Sequence, residues 1–325
     1  MDIDPKTTAF IFPGQASQRL GMGHALAQID SHALEIFKHA DRILGFTLSK
    51  LCWEGPADLL NDTENTQPAL VTHSIAVLRA LQARHPWLRP ACLAGHSLGE
   101  YSALVAAEAL TFDDALRLVL ERGRAMKQAG VLNPGGMIAV LGVEIDDVEK
   151  ICVTAAQVTG KCVIVANDNC PGQTVISGEQ PALDMASELL RSEGARRLVP
   201  LNVSVAGHSP LMQPAQSRLE SALTTTPIAE PSTPVIGNVL GRPMLSAAAI
   251  RQELAVQITE RLRWTESMQN MIANGINTVI ELGPGNTLSS MMKRIDSNVR
   301  AVAIDEPDSF AMLDRQDDHK TKAET

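Results

Sequence analysis

Aromatic side chains are scarce: three Trp, one Tyr and six Phe make up 3% of the 325 residues. Proteins that bind single-stranded nucleic acid stack bases on such rings, so the scarcity argues against that function. Positive charge is short as well. The formal net charge is −9, and no long Lys/Arg tract occurs, which argues against nucleic acid as the main partner. No uninterrupted apolar run approaches the roughly 18 residues of a membrane span. The opening MDIDPKTTAFIF lacks the basic-then-apolar layout of a secretory signal. Cysteine is sparse and odd in number (Cys52, Cys92, Cys152, Cys162, Cys170) and shows no close ligand spacing. Reduced, mostly buried thiols in a cytoplasmic protein are expected, with no metal site.

What is present is ordinary for a globular chain, 45% hydrophobic and 20% charged. Its length suits one large α/β domain or two modest ones. TTAFIFPGQ reads as a buried strand over Thr8 to Phe12, ended by Pro13-Gly14, and helical segments follow over 22–40 and 68–84. ACLAGHS supplies a second short strand, then helices run over 99–109 and 113–129. The latter opens with Thr111 and Asp114 in capping-box spacing. From residue 135 the pattern changes to strand, helix 145–158, two strands, helix 179–193 and strand, the βαββαβ order of a ferredoxin-like unit. TPVIGNVL and NTVIEL then return to short buried strands. The expected fold is α/β: a mainly parallel core (1–134 and 203–309), an inserted ferredoxin-like subdomain (135–202) and a frayed polar tail (310–325).

Residues 95–101 read GHSLGEY, and strand–Gly-x-Ser-x-Gly–helix is the pattern of a nucleophile elbow. Glycines permit a strained turn that lifts the hydroxyl of Ser97 clear of the sheet, and the following helix N-terminus faces developing negative charge. A serine nucleophile needs a base. Among eight histidines, His24, His32 and His39 read as surface residues of a helical region, His85 and His319 sit in polar stretches, and His73 reads as a core histidine. His96 adjoins the serine but points away from it on an extended strand end. His208 of SVAGHSPLM lies in a Gly-Ser-Pro loop after a strand, where catalytic groups concentrate. Arg122, inside helix 113–129, would by pattern alone be a solvated charge. GPGN at 283–286 lacks the Gly-Lys-Ser/Thr ending of a phosphate loop and reads as a tight turn.

FIFPGQASQRLGMG, NTQPAL, AGHSLGEYSAL, LERGRAM, NCPGQTVISG, VSVAGHSPLM and ELGPGNTL follow one another across nearly the whole chain. This set resembles the malonyl-CoA:acyl carrier protein transacylases of fatty-acid synthesis and the related acyltransferase domains of polyketide synthases. The resemblance implies an α/β-hydrolase-like core carrying the ferredoxin-like insert. It implies Ser97 as nucleophile and His208 as base. Gln257 belongs to the segment that orients the histidine through a main-chain carbonyl. The amides of Gln15 and Leu98 form the oxyanion hole, and Arg122 with Gln67 binds the substrate, Arg122 holding its carboxylate. Arg196, Arg197, Lys293 and Arg294 are implied docking residues for acyl carrier protein or CoA. The implied substrate is malonyl-CoA, without a cofactor, in a monomer.

Three positions depart from the pattern: Ala16 where glycine is usual, Gly207 where Ser or Phe is commoner, and TERLRW in place of an Asn-Pro-Val-x-Trp lead-in. Two other functions share the elbow. A serine hydrolase would use water as acceptor, and a silent binding module would carry no reactive serine.

Overall fold

The computed structural model describes residues 3–201, 203 and 205–314. Eleven strands occur among them: β1 (Thr8–Phe12), β2 (Cys92–Gly95), β3 (Gly136–Leu141), β4 (Val163–Cys170), β5 (Gln173–Gly178), β6 (Arg197–Pro200), β7 (Val235–Ile236), β8 (Pro243–Met244), β9 (Leu262–Arg263), β10 (Thr278–Leu282) and β11 (Arg300–Ile304). They form two sheets, ordered β11-β10-β1-β2-β7-β8 and β6-β3-β5-β4-β9.

The larger sheet is parallel except at its β7–β8 edge. β1 is buried along its whole length, as are β2 and β10. Central parallel strands are covered on both faces, which is why TAFIF and TVIEL read as continuous runs rather than alternating ones. Helices Thr63–Arg84 and Phe112–Leu132 pack in the main core beside this sheet. Loops leaving the carboxyl ends of adjacent parallel strands converge, and such ends are where α/β proteins build sites. β1, β2 and β7 deliver Gln15, Ser97 and Asn238 there.

The smaller sheet has antiparallel pairings β6–β3, β3–β5 and β5–β4. Helices Ile145–Thr159 and Gln180–Ser192 cover it around a core that includes Val140, Val148, Ile176 and Leu183. This is the ferredoxin-like arrangement. Its fifth strand is borrowed: β9, from the segment after residue 203, pairs parallel with β4 through Asn167↔Leu262 and Asp168↔Arg263. A two-residue strand carries too little pattern to be read from sequence.

Several elements differ from expectation. The helix expected over 22–40 is two, His24–Ile29 and Ser31–Leu44, because the Asp30 carboxylate accepts from the His32 and Ala33 amides and caps the second. The helix expected from Pro68 starts at Thr63, capped by Asp62, with Pro68 inside it. Short helices Leu48–Glu54 and Ala57–Asn61 were not anticipated. The tail was expected from residue 310, yet Phe310 and Leu313 are buried at 0% and 1% exposure, so the chain stays packed to that point. The remainder of the expected tail, with His319, lies outside the described residues.

Candidate active site

Gly95 ends β2 and Gly99 begins the helix Gly99–Ala106. The two touch: a β-carbon on Gly95 would lie 1.9 Å from the Gly99 carbonyl carbon, and one on Gly99 would lie 2.1 Å from the Phe12 oxygen. Only glycine fits either place, and between them Ser97 takes φ +50, the left-handed region. The corner therefore exists to present the serine.

Its hydroxyl lies 2.8 Å from His208 Nε2. His208 Nδ1 in turn contacts two backbone carbonyls, Gln257 O at 2.9 Å and Glu260 O at 3.2 Å. Carbonyls only accept, so Nδ1 carries the proton and Nε2 is left as the acceptor for the serine proton. The His208 amide donates to Ile258 O at 2.9 Å, so three carbonyls of one segment hold the residue. Burial and then the nearby Arg122 charge lower its pKa to about 3, which keeps the ring neutral. His96 is turned aside, with Nε2 2.9 Å from Asn169 Oδ1 and its ring edge-on to Trp264.

Arg122 is 1% exposed, not a solvated helix charge. Gly123 permits this: a β-carbon there would meet the Glu64 Cα at 2.7 Å, so helices Phe112–Leu132 and Thr63–Arg84 cross in close contact. Arg122 Nη2 donates to Ser97 Oγ and to Gln257 Oε1, both at 3.1 Å, and Nη1 donates to Gln67 Oε1 at 3.0 Å. Its buried Nε has no partner among the described residues. Among the described residues every hydrogen-bond partner of this desolvated cation is neutral, a costly arrangement unless an anion arrives. Gln67 holds Arg122 and does not itself line the cavity. Gln257 Nε2 donates to Ser97 O at 3.0 Å and to Glu100, a fully buried carboxyl whose pKa is pushed well above its usual range by burial and by Glu253.

These groups border a cavity of about 270 Å³ lined by Gln15, Ser97, Arg122, Met126, Met137 and His208 among others. Gln15 is half-buried, its side chain donating to Thr63 Oγ1 at 2.8 Å. Leu98, directly after Ser97, is buried. Ala16 adopts φ +78, the conformation for which glycine is the usual choice, and its amide donates to Gln18 Oε1 at 2.8 Å. A β-carbon on Gly207 would meet only Met137 and Met126, at 3.5 Å and 3.7 Å, so the missing side chain leaves room in the cavity.

Besides Glu100, two polar residues at the site escaped sequence reasoning. Asn167 of β4 lines the cavity with a buried Oδ1 that has no partner among the described residues. Asn238 bonds directly to the elbow. Neither sits in a motif whose spacing to Ser97 carries meaning; both arrive by tertiary packing. The proposed docking residues lie apart from the cavity. Arg196 and Arg197 are exposed on β6 and before it, and Lys293 is exposed on helix Thr287–Ile295. Arg294 is already engaged: its guanidinium donates to Gln173 Oε1 and Pro171 O, both at 2.6 Å, bracing the small sheet's hairpin against the core.

The model of the acyl transferase domain family matches residues 9–290. The chain belongs to that family. Among curated relatives, the malonyl CoA-acyl carrier protein transacylase of Bacillus subtilis is 41% identical over 94% of this chain and 95% of its own length. That of Escherichia coli K12 is 41% identical over 93% and 97%. The crystal structure of the Xanthomonas oryzae transacylase superposes with a TM-score of 0.92 at 42% identity, covering 96% of this chain and 98% of that one. A malonyl-transacylase in complex with a type II polyketide synthase acyl carrier protein matches with a TM-score of 0.91 at 38% identity over 94% and 98%. The acyltransferase fold is thus shared almost end to end.

Proposed function

We propose that this acyltransferase moves a malonyl group from malonyl-CoA to the phosphopantetheine thiol of an acyl carrier protein, through an ester on Ser97. The observation that carries the reading is the buried guanidinium of Arg122 at 3.1 Å from Ser97 Oγ, whose hydrogen-bond partners among the described residues are all neutral. A donor bearing a free carboxylate completes that site, whereas a neutral acyl group leaves the cation stranded. Arginine suits the task because its planar fork meets both carboxylate oxygens.

In the first half-reaction His208 Nε2 takes the Ser97 proton as Oγ forms a bond to the thioester carbon. The tetrahedral oxyanion is held by the amides of Leu98 and Gln15, and the C–S bond then breaks with the proton passing to the CoA sulfur. In the second half-reaction the carrier thiol gives its proton to His208, its sulfur attacks the ester, and Ser97 leaves with that proton. The two carbonyls at Nδ1 stabilise the imidazolium that forms in each half, the role a carboxylate has in other triads. Met126, Met137 and Val205 give the cavity apolar lining, which disfavours water and so favours the thiol as acceptor.

We read the enzyme further as a cytoplasmic monomer without a cofactor. All five cysteines are unpaired and four are buried, which suits a reducing compartment. No helix among the described residues is long and apolar enough to cross a membrane. The test is intact-mass analysis after incubation with malonyl-CoA, then with holo acyl carrier protein. A malonyl adduct that is absent from Ser97→Ala and discharges onto the carrier is expected. Free malonate without carrier loading would mark a hydrolase instead, and an unreactive serine would mark a binding module.

A further inference from the structure

Asn238 is 1% exposed and stands two residues beyond β7, which pairs with β2 through Leu93↔Val235 and Ala94↔Ile236. Its carboxamide lies beside the point where the chain leaves β2. Oδ1 accepts from the Ser97 amide at 2.6 Å, and Nδ2 donates to the Gly95 carbonyl at 2.7 Å. A side-chain amide thus replaces the next rung of the parallel ladder and spans the elbow from both sides. The residue is itself held from three directions. Its carbonyl accepts from the Arg263 amide at 2.8 Å. Its own amide faces the carboxyls of Glu100 and Glu253. Glu253 also accepts from the amides of Val239 and Leu240.

We propose that Asn238 is the positioning residue of the nucleophile: its carboxamide locks Ser97 in the left-handed turn that aims the hydroxyl at His208. A non-glycine residue stays at φ +50 only where its surroundings over-determine it, and these two bonds supply that constraint. They also occupy the Ser97 amide, so the oxyanion must be met by the amide of Leu98 and not by that of the serine. The inference rests on Ser97 being the nucleophile.

Asn238→Asp gives the cleanest test because it preserves shape and changes one donor. An Asp anion still accepts from Ser97 N, but its second oxygen faces the Gly95 carbonyl and repels it. Protonated, the same carboxyl donates to Gly95 and restores both bonds. The titratable and charged residues that meet Asn238 are Glu100, Glu253 and Arg263, with Arg122 and His208 bonded to Ser97 and His96 beside it in the chain. All are present in the wild type, so the variant-to-wild-type ratio removes their contribution.

The readout is the rate of Ser97 labelling by a fluorophosphonate, followed by intact mass between pH 8 and pH 5.5. At pH 8, Asn238→Asp should label about 10- to 100-fold more slowly, the loss from an unsatisfied buried pair. Its ratio to wild type should climb about tenfold or more toward pH 5.5, as a buried carboxyl with a raised pKa takes up its proton. Asn238→Ala should stay slow at every pH. Wild-type labelling by Asn238→Ala, or an equal and pH-independent deficit in both variants, overturns the proposal. Labelling needs no malonyl-CoA, so a wild type that labels but is never malonylated would overturn the proposed function and leave this inference standing.

Discussion

Gly95 and Gly99 meet across the elbow so closely that the backbone of one occupies the space a side chain of the other would need. The atoms a new β-carbon would strike are main-chain atoms of the same elbow, which cannot rotate away. Overpacked cores usually lose about 1–3 kcal/mol, and a clash with backbone belongs at or above the top of that range. Gly95→Ala should therefore lose at least about 3 kcal/mol and most serine reactivity. Denaturant unfolding checks it; a wild-type midpoint for Gly95→Ala would contradict the packing argument.

The pH dependence of acylation follows from His208. As the proposed base, His208 works when neutral, and burial with the Arg122 charge lowers its pKa to about 3. For kcat/KM, which reports the free enzyme, the acid limb then lies well below pH 5, not near 6.5. Acylation should be flat from pH 5 to pH 8, and a limb centred near 6.5 would refute the buried neutral imidazole. Stability carries the same sign. The contribution of the neutral ring is full above 6.5, where the unfolded histidine is also neutral, and is lost as pH falls from 6.5 toward 3. His208→Ala should slow acylation about 10²- to 10⁴-fold.

The elbow and the parallel core were legible because glycine spacing and continuous apolar runs are local signals. The loop made His208 a candidate, the resemblance singled it out, and the fold brings its Nε2 to 2.8 Å from Ser97 Oγ. Arg122 was not: residue by residue it looks solvated, and only the Gly123 crossing of two helices 55 positions apart in their Gln67–Arg122 bond buries it. Asn238 and Glu100 were illegible for a related reason. One meets Ser97 across 141 positions, and the other meets Gln257 across 157. The orienting segment at 257–260 shows no pattern of its own, since it acts through backbone carbonyls that any sequence possesses.

The basic residues separate into two kinds. Arg196, Arg197 and Lys293 are exposed and suit encounter with an acidic carrier, whereas Arg294 is bonded into the β4–β5 turn. Reversing the first three should slow carrier transfer at low salt and flatten its salt dependence without altering thermal stability, because surface charges act on encounter and are screened. Arg294→Glu should in addition lower the melting temperature. Unchanged transfer and salt slope in the triple variant would dismiss docking at this surface, and an unchanged melting temperature in Arg294→Glu would dismiss the brace.

Selectivity should reside in Arg122. Its guanidinium is desolvated, its Nε has no partner among the described residues, and its bonds run to Ser97, Gln67 and Gln257, all neutral. A malonyl ester on Ser97 would bring a carboxylate within reach of that cation. Truncating one member of a buried charge pair costs about 2–5 kcal/mol, much of it from stranding the other charge. At roughly 1.4 kcal/mol per decade, Arg122→Ala should lower malonyl loading by about 30- to 4,000-fold. An acetyl group carries no carboxylate to strand, so loading from acetyl-CoA should persist or rise. Removing a buried arginine also unpairs Gln67 and Gln257, which could depress every reaction through loss of folded enzyme. The ratio of malonyl to acetyl loading, each normalised to fluorophosphonate-reactive Ser97, removes that contribution. Intact-mass time courses on both donors measure it, and an unchanged ratio in Arg122→Ala would sink the carboxylate clamp.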